Sequence, residues 1–308
     1  MNTSLSMKSS PSVLIRRKRA IWAVLEGMAY LLPSLILFSI FLFYPMLRTL
    51  YLSFYATDHQ GNPVQFVGIE NFVYLLKDAN FLQSAKATLL FVCYTVPASV
   101  ILALCLALMA NEKLKGIGLF RTFFSSTMGM SVAASSVIWM FMYNPSIGII
   151  NKVLSLFGIS DVQWLLDPNI ALISVAISTI WMNTGFTFLV LLGGLQNLDS
   201  SLYESARIAG VGYWYQLHKV TLPLLSPTLF FVTTVLLIHS FQTFGQIDML
   251  TKGGPMDATN IIVYSIYRDA FINYNFGSAS AQAVLLFFAV LVVTVLQFKF
   301  AERKVHYQ

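Results

Sequence analysis

Three polar side chains near residue 240 are the ones best suited to bind a polar solute. His239, Gln242 and Gln246 are spaced three and four residues apart, so they would share one face of a continuous helix. Amide and imidazole groups offer both donors and acceptors, the complement that a hydroxylated solute requires. We therefore expect them, with Asp248 beyond them and Asn183 from an earlier segment, to line a solute path. The alternative is hydrogen bonding between helices or to a partner subunit.

Further side chains could extend such a lining. Thr184 and Gln282 are polar residues of other apolar segments. The rings of Trp139, Tyr143 and Trp181 could stack on sugar faces, although Trp and Tyr are equally typical of the aromatic belt at a membrane interface. We expect Trp139 and Tyr143 to belong to that belt.

Motifs for nucleotide binding and for catalysis are absent from the sequence. It contains no G-x-x-x-x-G-K-[ST], H-E-x-x-H, C-x-x-C or G-x-S-x-G. The two cysteines, Cys93 and Cys105, lie inside one apolar stretch and form neither a disulfide framework nor a metal-binding pattern. We therefore expect no enzyme activity, no cofactor and no metal site.

The composition is that of an integral membrane protein. Of 308 residues, 57% are hydrophobic and only 10% are charged, whereas soluble domains carry about 25% charged residues. Six long runs contain no Asp, Glu, Lys or Arg, and each could hold one helix of about 20 residues that crosses a bilayer. These runs are continuously apolar, unlike the alternating strands of a membrane barrel. The sequence therefore predicts an all-α integral membrane protein with six transmembrane helices. The runs are 27–47, 87–111, 122–151, 168–198, 220–247 and 270–298.

The distribution of basic residues predicts the orientation. With six spans, 13 of the 19 Lys and Arg residues fall in the two tails and in the second and fourth loops, so both termini are expected to be cytoplasmic. The net charge of +6 is then explained by topology, and no nucleic-acid partner is expected. The predicted segments are an N-tail at 1–26, a first span at 27–54, an external loop at 55–84, a five-helix core at 85–298 with its fourth loop at 196–223, and a C-tail at 299–308.

The fourth loop has the pattern of a short helix–turn–helix. Asp199 or Ser201 could cap a first helix, and Ser201 and Glu204 have the spacing of a capping box. Gly210 and Gly212 permit a turn, after which a second amphipathic segment follows. The simplest alternative is an interfacial helix that rests on lipid headgroups.

The same loop resembles the EAA loop of ABC-importer permeases, which reads E-A-A-x-x-x-G and is followed by I-x-L-P. Glu204, Ala206 and Gly210 match the motif, and 220–223 matches its second part. Ser205 departs from the second-position Ala. In this family the loop is the coupling helix that docks on the ATPase subunit. The residues that the resemblance assigns to this docking are Glu204, Ser205, Ala206, Gly210, Leu222 and Pro223.

Four other segments are similar to carbohydrate-type permeases of this family, in the same order along the chain. They are Phe66–Phe72 (FVGLDNF in the family), Asn144-Pro145 (the FNP turn), Thr251–Thr259 (TxGGPxxAT) and Gln297–Tyr307 (QFRxxExxVxY). Within the family, 263–269 and the tail look most like importers of sn-glycerol 3-phosphate. Oligosaccharide permeases share most of these letters, so the solute stays open.

The resemblance implies a type I ABC-importer permease fold in a bacterial plasma membrane. The implied partners are a second permease subunit, two ATPase subunits that hydrolyse ATP, an extracytoplasmic solute-binding protein and membrane lipid. The competing hypothesis is a secondary transporter or a channel for a small polar solute. Ion-coupled transporters usually keep ionisable groups within their spans, and the six runs contain none except His239.

Charge also distinguishes between candidate solutes. A phosphate ester favours nearby Arg or Lys, and the six runs contain neither. The path itself therefore looks suited to neutral hydroxyl groups. Recognition of a phosphate would have to come from the binding protein, from the partner permease or from His239.

Overall fold

The computed structural model describes residues 11–112 and 114–301. Residues 1–10, 113 and 302–308, on which part of the orientation prediction and most of the C-terminal motif rest, lie outside the described residues. The helices are α1 (Pro11–Phe38), α2 (Tyr44–Leu52), α3 (Glu70–Lys77), α4 (Ala79–Ala110), α5 (Ile117–Ser125), α6 (Val132–Met142), α7 (Ile149–Ser155), α8 (Ala171–Gln196), α9 (Ser200–Ile208), α10 (Tyr213–Gln216), α11 (Leu222–Phe241), α12 (Gly245–Leu250), α13 (Ile262–Tyr267) and α14 (Phe276–Ala301). Single π-helical turns occupy Ser39–Phe43, Leu217–Thr221 and Arg268–Ile272, and a 3₁₀ turn occupies Ser126–Gly129.

The described residues contain five helices that are long and apolar enough to cross a membrane. They are Glu26–Leu52, Ala79–Ala110, Ala171–Gln196, Tyr213–Phe241 and Phe276–Lys299. The third predicted span is a bent pair instead, in which Ile117–Gly129 and Val132–Met142 meet at 106°. Counted as one broken span, this pair gives the predicted total of six. The bend falls where Ser131 adopts an extended backbone and its hydroxyl accepts a hydrogen bond from the Ala134 amide at 3.2 Å, which starts α6 as a new helix.

The centre of the bundle is the pair α4 and α8, with α11 packed against both. Small residues of α4 lie against large apolar side chains of α8, such as Ala103 and Ala107 beside Phe188 and Leu191, all fully buried. On the other side of α8, a Cβ atom at Gly194 would lie 2.8 Å from Leu225 of α11. Small residues at these crossings let the backbones approach closely, which is how helices associate in lipid.

A second buried cluster corrects one prediction about the aromatic residues. Trp139 is 8% exposed and Tyr143 is 2% exposed, so neither belongs to a lipid-facing belt. The Tyr143 hydroxyl donates to the Ser174 carbonyl at 2.8 Å, and its ring stacks on Trp164. The prediction was wrong because the sequence shows that these rings lie near a span end but not which neighbouring helix covers them.

The predicted external loop contains the two β-strands found among the described residues. Strands β1 (Tyr55–Thr57) and β2 (Pro63–Phe66) pair antiparallel around a tight turn. Asp58 closes this turn by accepting hydrogen bonds from the side chain and the amide of Asn62 and from the amide of Gln60, which hold the pKa of its carboxyl below the usual range. Gly61 takes φ +79°, as its place in the turn requires.

The first span differs from the others in its packing. Its most apolar stretch is not buried by any other part of the described chain, and large side chains such as Tyr30, Phe41 and Leu47 are more than half exposed. Only its last part, α2, packs against α14. The apolar surface of this helix is therefore available to lipid or to another subunit.

Candidate functional site

The fourth loop folds as a helix, a turn and a second short helix, as its pattern predicts. Helix α9 starts at Ser200, directly after Asp199, whose Oδ1 accepts from the Ser201 amide at 2.9 Å. This bond holds the pKa of the Asp199 carboxyl below its usual range. The capping box between Ser201 and Glu204 does not form, because Asp199 caps the helix instead. The Glu204 carboxylate makes no hydrogen bond or ion pair within the described part of the chain and is exposed.

The turn after α9 is a Schellman motif built on Gly210. The Val211 amide donates back to the Ala206 carbonyl at 3.0 Å, and Gly210 takes φ +68° at the position where this motif requires a left-handed residue. Gly212 follows with φ −69° and is the N-cap of α10. The two glycines therefore differ in role, and only Gly210 has a backbone conformation that favours glycine.

The second half of the loop runs directly into the fifth span. Helix α10 passes through the π-helical turn Leu217–Thr221 into α11, and Pro223 lies in the first turn of α11. The Gln216 amide group donates to the Val211 carbonyl at 2.7 Å, which ties α10 to the turn before it. Leu222 and Pro223 are half-buried at the base of the span.

The outer surface of α9 is open. Ser205 is exposed beside Glu204, Ala206 is half-buried, and Ile208 at the end of the helix is 88% exposed. Ile208 is one of several exposed apolar side chains of this loop, among them Trp214 at 71% exposed, and a group of such side chains is typical of a contact with another molecule or with a membrane.

A groove of about 430 Å³ separates α9 and α10 from the C-terminal end of α4. Two carboxylates, two tyrosines and several amide or hydroxyl groups line it together with apolar side chains. These lining residues are Leu108, Asn111, Glu112, Leu195, Ser200, Tyr203, Glu204, Tyr213, Gln216, Leu217 and Thr221. The groove leaves α9 without broad packing on its inner side.

The fifth span breaks within the predicted polar stripe. Helix α11 ends at Phe241, Gln242 is its C-cap, and α12 begins only at Gly245. At this break the span crosses α6, and a Cβ atom at Gly245 would lie 2.6 Å from Val132. The prediction of one continuous helical face is therefore wrong, because the helix is interrupted where it crosses α6, and the sequence does not reveal this crossing.

The break separates the members of the stripe. His239 and Gln242 are exposed, whereas Gln246 is 4% exposed and its amide nitrogen lies 3.4 Å from the Met182 sulfur of α8. Gln246 thus takes part in a contact between helices in this structure. His239 and Gln242 remain available to a solute.

The other candidates of the solute path have different surroundings. Asn183 and Asp248 are half-buried. Thr184 bonds back to the Ile180 carbonyl at 2.7 Å within its own helix. Gln282 is buried, and its amide nitrogen lies 2.6 Å from an oxygen of Asp269, which ties it to the π-helical turn Arg268–Ile272. Within the described residues, no group of three or more His, Cys, Asp or Glu side chains could hold a metal ion.

Two residues of the fourth loop form a contact that the sequence pattern did not indicate. The hydroxyls of Tyr203 and Thr221 lie 3.1 Å apart, although the residues are 18 positions apart in the chain. No helical or turn spacing relates them, so the sequence carries no signal for this bond.

Comparison with known proteins identifies the family. Residues 79–307 match the family described as binding-protein-dependent transport system inner membrane component. The chain belongs to this family. It is a multi-pass permease of the ABC-importer type, and the hypothesis of a secondary transporter or channel is set aside.

Individual members of this permease family match over most of their length. The sn-glycerol-3-phosphate transport system permease protein UgpA of Agrobacterium fabrum is 38% identical over 278 residues, which are 89% of this chain and 94% of that protein. The protein of the same name from Brucella suis is 36% identical over 280 residues, which are 90% of this chain and 94% of that protein.

Solved structures of permeases match the fold. A bacterial ABC transporter involved in the import of the acidic polysaccharide alginate has a chain with a TM-score of 0.80 and 25% identity, covering 94% of this chain and 99% of that one. The same kind of transporter in complex with an alginate pentasaccharide-bound periplasmic protein gives a TM-score of 0.76 and 26% identity, covering 94% of this chain and 96% of that one. The predicted type I permease fold is thereby confirmed.

Proposed function

We propose that this permease imports a small phosphorylated polyol of the sn-glycerol 3-phosphate class and forms one half of its translocation path. ATP is hydrolysed by two separate ATPase subunits, which dock on the coupling loop 196–223 at the cytoplasmic face. A second permease subunit completes the path, and an extracytoplasmic solute-binding protein delivers the solute. Both termini of this chain lie in the cytoplasm.

The geometry of the coupling loop is the observation that carries the docking proposal. Helix α9 presents an exposed carboxylate at Glu204 and an exposed apolar side chain at Ile208. A carboxylate that has no partner among the described side chains can receive an Arg or a backbone amide of an ATPase groove, and charge-assisted bonds of this kind are the stronger ones. The Schellman turn at Gly210 fixes the direction in which the loop returns to the fifth span.

The exposed surface of the first span supports the proposal of a second permease subunit. A helix whose most apolar stretch is covered by no other part of the described chain can pack on a partner subunit, where it would also enclose a path between the two chains. Lipid is the other component that such a surface accepts.

The relatives named for sn-glycerol-3-phosphate transport support the choice of solute. His239 and Gln242 are exposed polar side chains at the end of α11, and we assign them to such a path. Their groups bind hydroxyls, so the phosphate is recognised mainly on the binding protein or on the partner permease, and His239 is the one group of this pair that could carry a positive charge.

Reconstitution tests this proposal. The chain is assembled in proteoliposomes with its cognate partner permease and ATPase subunits, and uptake of radiolabelled glycerol 3-phosphate is measured in the presence of the cognate binding protein and ATP. We expect uptake that depends on ATP and on the binding protein. Uptake of an alginate or neutral oligosaccharide in place of glycerol 3-phosphate would refute the solute class. Purification of the permease without any bound ATPase would refute the docking proposal.

A further inference from the structure

The bond between Tyr203 and Thr221 joins two elements that otherwise have little contact. Tyr203 lies on α9, and Thr221 is the last residue of the π-helical turn before α11. Within the part of the chain that the structure describes, α9 packs extensively against no other helix. Tyr203 is the one described side chain of α9 that hydrogen-bonds to another helical element.

The hydroxyl groups form a directed chain. The Thr221 hydroxyl donates to the Gln216 carbonyl at 3.3 Å, and it has a single proton. While the Thr221 hydroxyl donates to Gln216, the Tyr203 hydroxyl is the donor to the Thr221 oxygen, across 3.1 Å. Thr221 is only 5% exposed, and a hydrogen bond that is shielded from water holds its geometry better than an exposed one.

This chain of bonds lies between α9 and the base of the fifth span. Gln216 also donates to the Val211 carbonyl just after the Gly210 turn, so the side chains of three residues close the loop onto the base of the fifth span. The π-helical turn holds the Thr221 hydroxyl next to the Gln216 carbonyl. Single π-helical turns are frequent at functional sites.

From this arrangement we infer that Tyr203 and Thr221 are positioning residues for coupling, and that their hydrogen bond transmits displacement of α9 to α11. The inference rests on the proposed docking of an ATPase subunit on α9. Tyr203 is half-buried and hydrogen-bonded to Thr221, whereas Glu204 beside it is exposed, although both line the groove. Loss of the Tyr203 hydroxyl therefore leaves the docking surface intact and loosens only the link to the span.

The test uses the full importer in proteoliposomes and measures the number of solute molecules imported per ATP hydrolysed. Tyr203→Phe and Thr221→Val remove the bond with little change of shape, and Thr221→Ser keeps the hydroxyl. Tyr213→Phe is the matched control, since Tyr213 lines the same groove but makes no side-chain hydrogen bond to another described residue.

We expect Tyr203→Phe and Thr221→Val each to lower the import-to-hydrolysis ratio about two- to tenfold, the range over which loss of one neutral hydrogen bond changes an equilibrium. The double variant should be no worse than the poorer single variant, because both remove the same bond. Thr221→Ser and Tyr213→Phe should keep the wild-type ratio.

Three results would overturn the inference. The first is an unchanged ratio in Tyr203→Phe and Thr221→Val, and the second is an equal loss in Tyr213→Phe. The third is loss of bound ATPase from Tyr203→Phe, which would make the hydroxyl part of the docking surface. Absence of ATPase from the wild-type complex would instead refute the proposed function, so the two failures are distinguishable.

Discussion

Replacing Gly210 by Val tests the coupling turn through its backbone alone. Gly210 has φ +68°, and a Cβ atom built there meets nothing within 4 Å. Steric contact with neighbours therefore contributes no cost, and the whole effect comes from placing a β-branched residue in the left-handed region. Backbone strain of this kind costs about 1 to 3 kcal/mol.

Gly212 provides the matched control in the same turn. A Cβ atom at Gly212 also meets nothing within 4 Å, but its φ of −69° suits any residue. Gly212→Val should cost at most about 1 kcal/mol, the usual effect of a poorer helix N-cap. Gly210→Asn should lie between the two Val variants, because Asn tolerates the left-handed region.

A cost near 2 kcal/mol would reduce the population of the native turn about 30-fold relative to alternative conformations. Since the turn lies outside the apolar spans, membrane insertion should be unaffected. The assay measures insertion, retention of ATPase during purification and ATP-driven uptake for the three variants. If Gly210→Val retains ATPase and transports as well as Gly212→Val, the reasoning that this turn positions the coupling helix is refuted.

Three further predictions follow from the described contacts. Glu204→Gln should reduce retention of the ATPase during purification and leave the melting temperature unchanged, because the carboxylate has no partner within the described chain; a lowered melting temperature with full retention would contradict this. Gln242→Leu should lower uptake and leave the melting temperature unchanged. Gln246→Leu should lower the melting temperature and have the smaller effect on uptake, since of the two residues only Gln246 packs against α8. Equal effects of the two variants on uptake would contradict this difference. Gly185→Ala should destabilise the protein by about 1 to 3 kcal/mol, because the added Cβ would lie 2.6 Å from the Met128 amide nitrogen. A Cβ atom at Gly193 on the same helix meets nothing within 4 Å. Gly193→Ala should therefore be neutral or stabilising in a thermal melt.

The sequence alone determined the helices and turns that depend only on residues close together in the chain. Only helices and closed barrels satisfy the backbone in lipid, and continuously apolar runs of span length exclude the alternating strands of a barrel, so such runs predict membrane helices. The described spans agree. The Gly210 turn was predictable for the same reason, since a glycine placed shortly after a capped amphipathic segment is the usual end of a helix.

Only the tertiary structure decided which distant segments meet. The fifth span is interrupted where Gly245 packs against Val132. His239 and Gln246 therefore do not lie on one continuous helical face, although their spacing predicted that they would. Tyr143 is buried although its residue type suits the membrane interface equally well. Hydrophobic periodicity indicates which residues of one helix share a face, but it does not indicate which helix packs against that face. Which helices become neighbours is determined by packing between segments far apart in the chain.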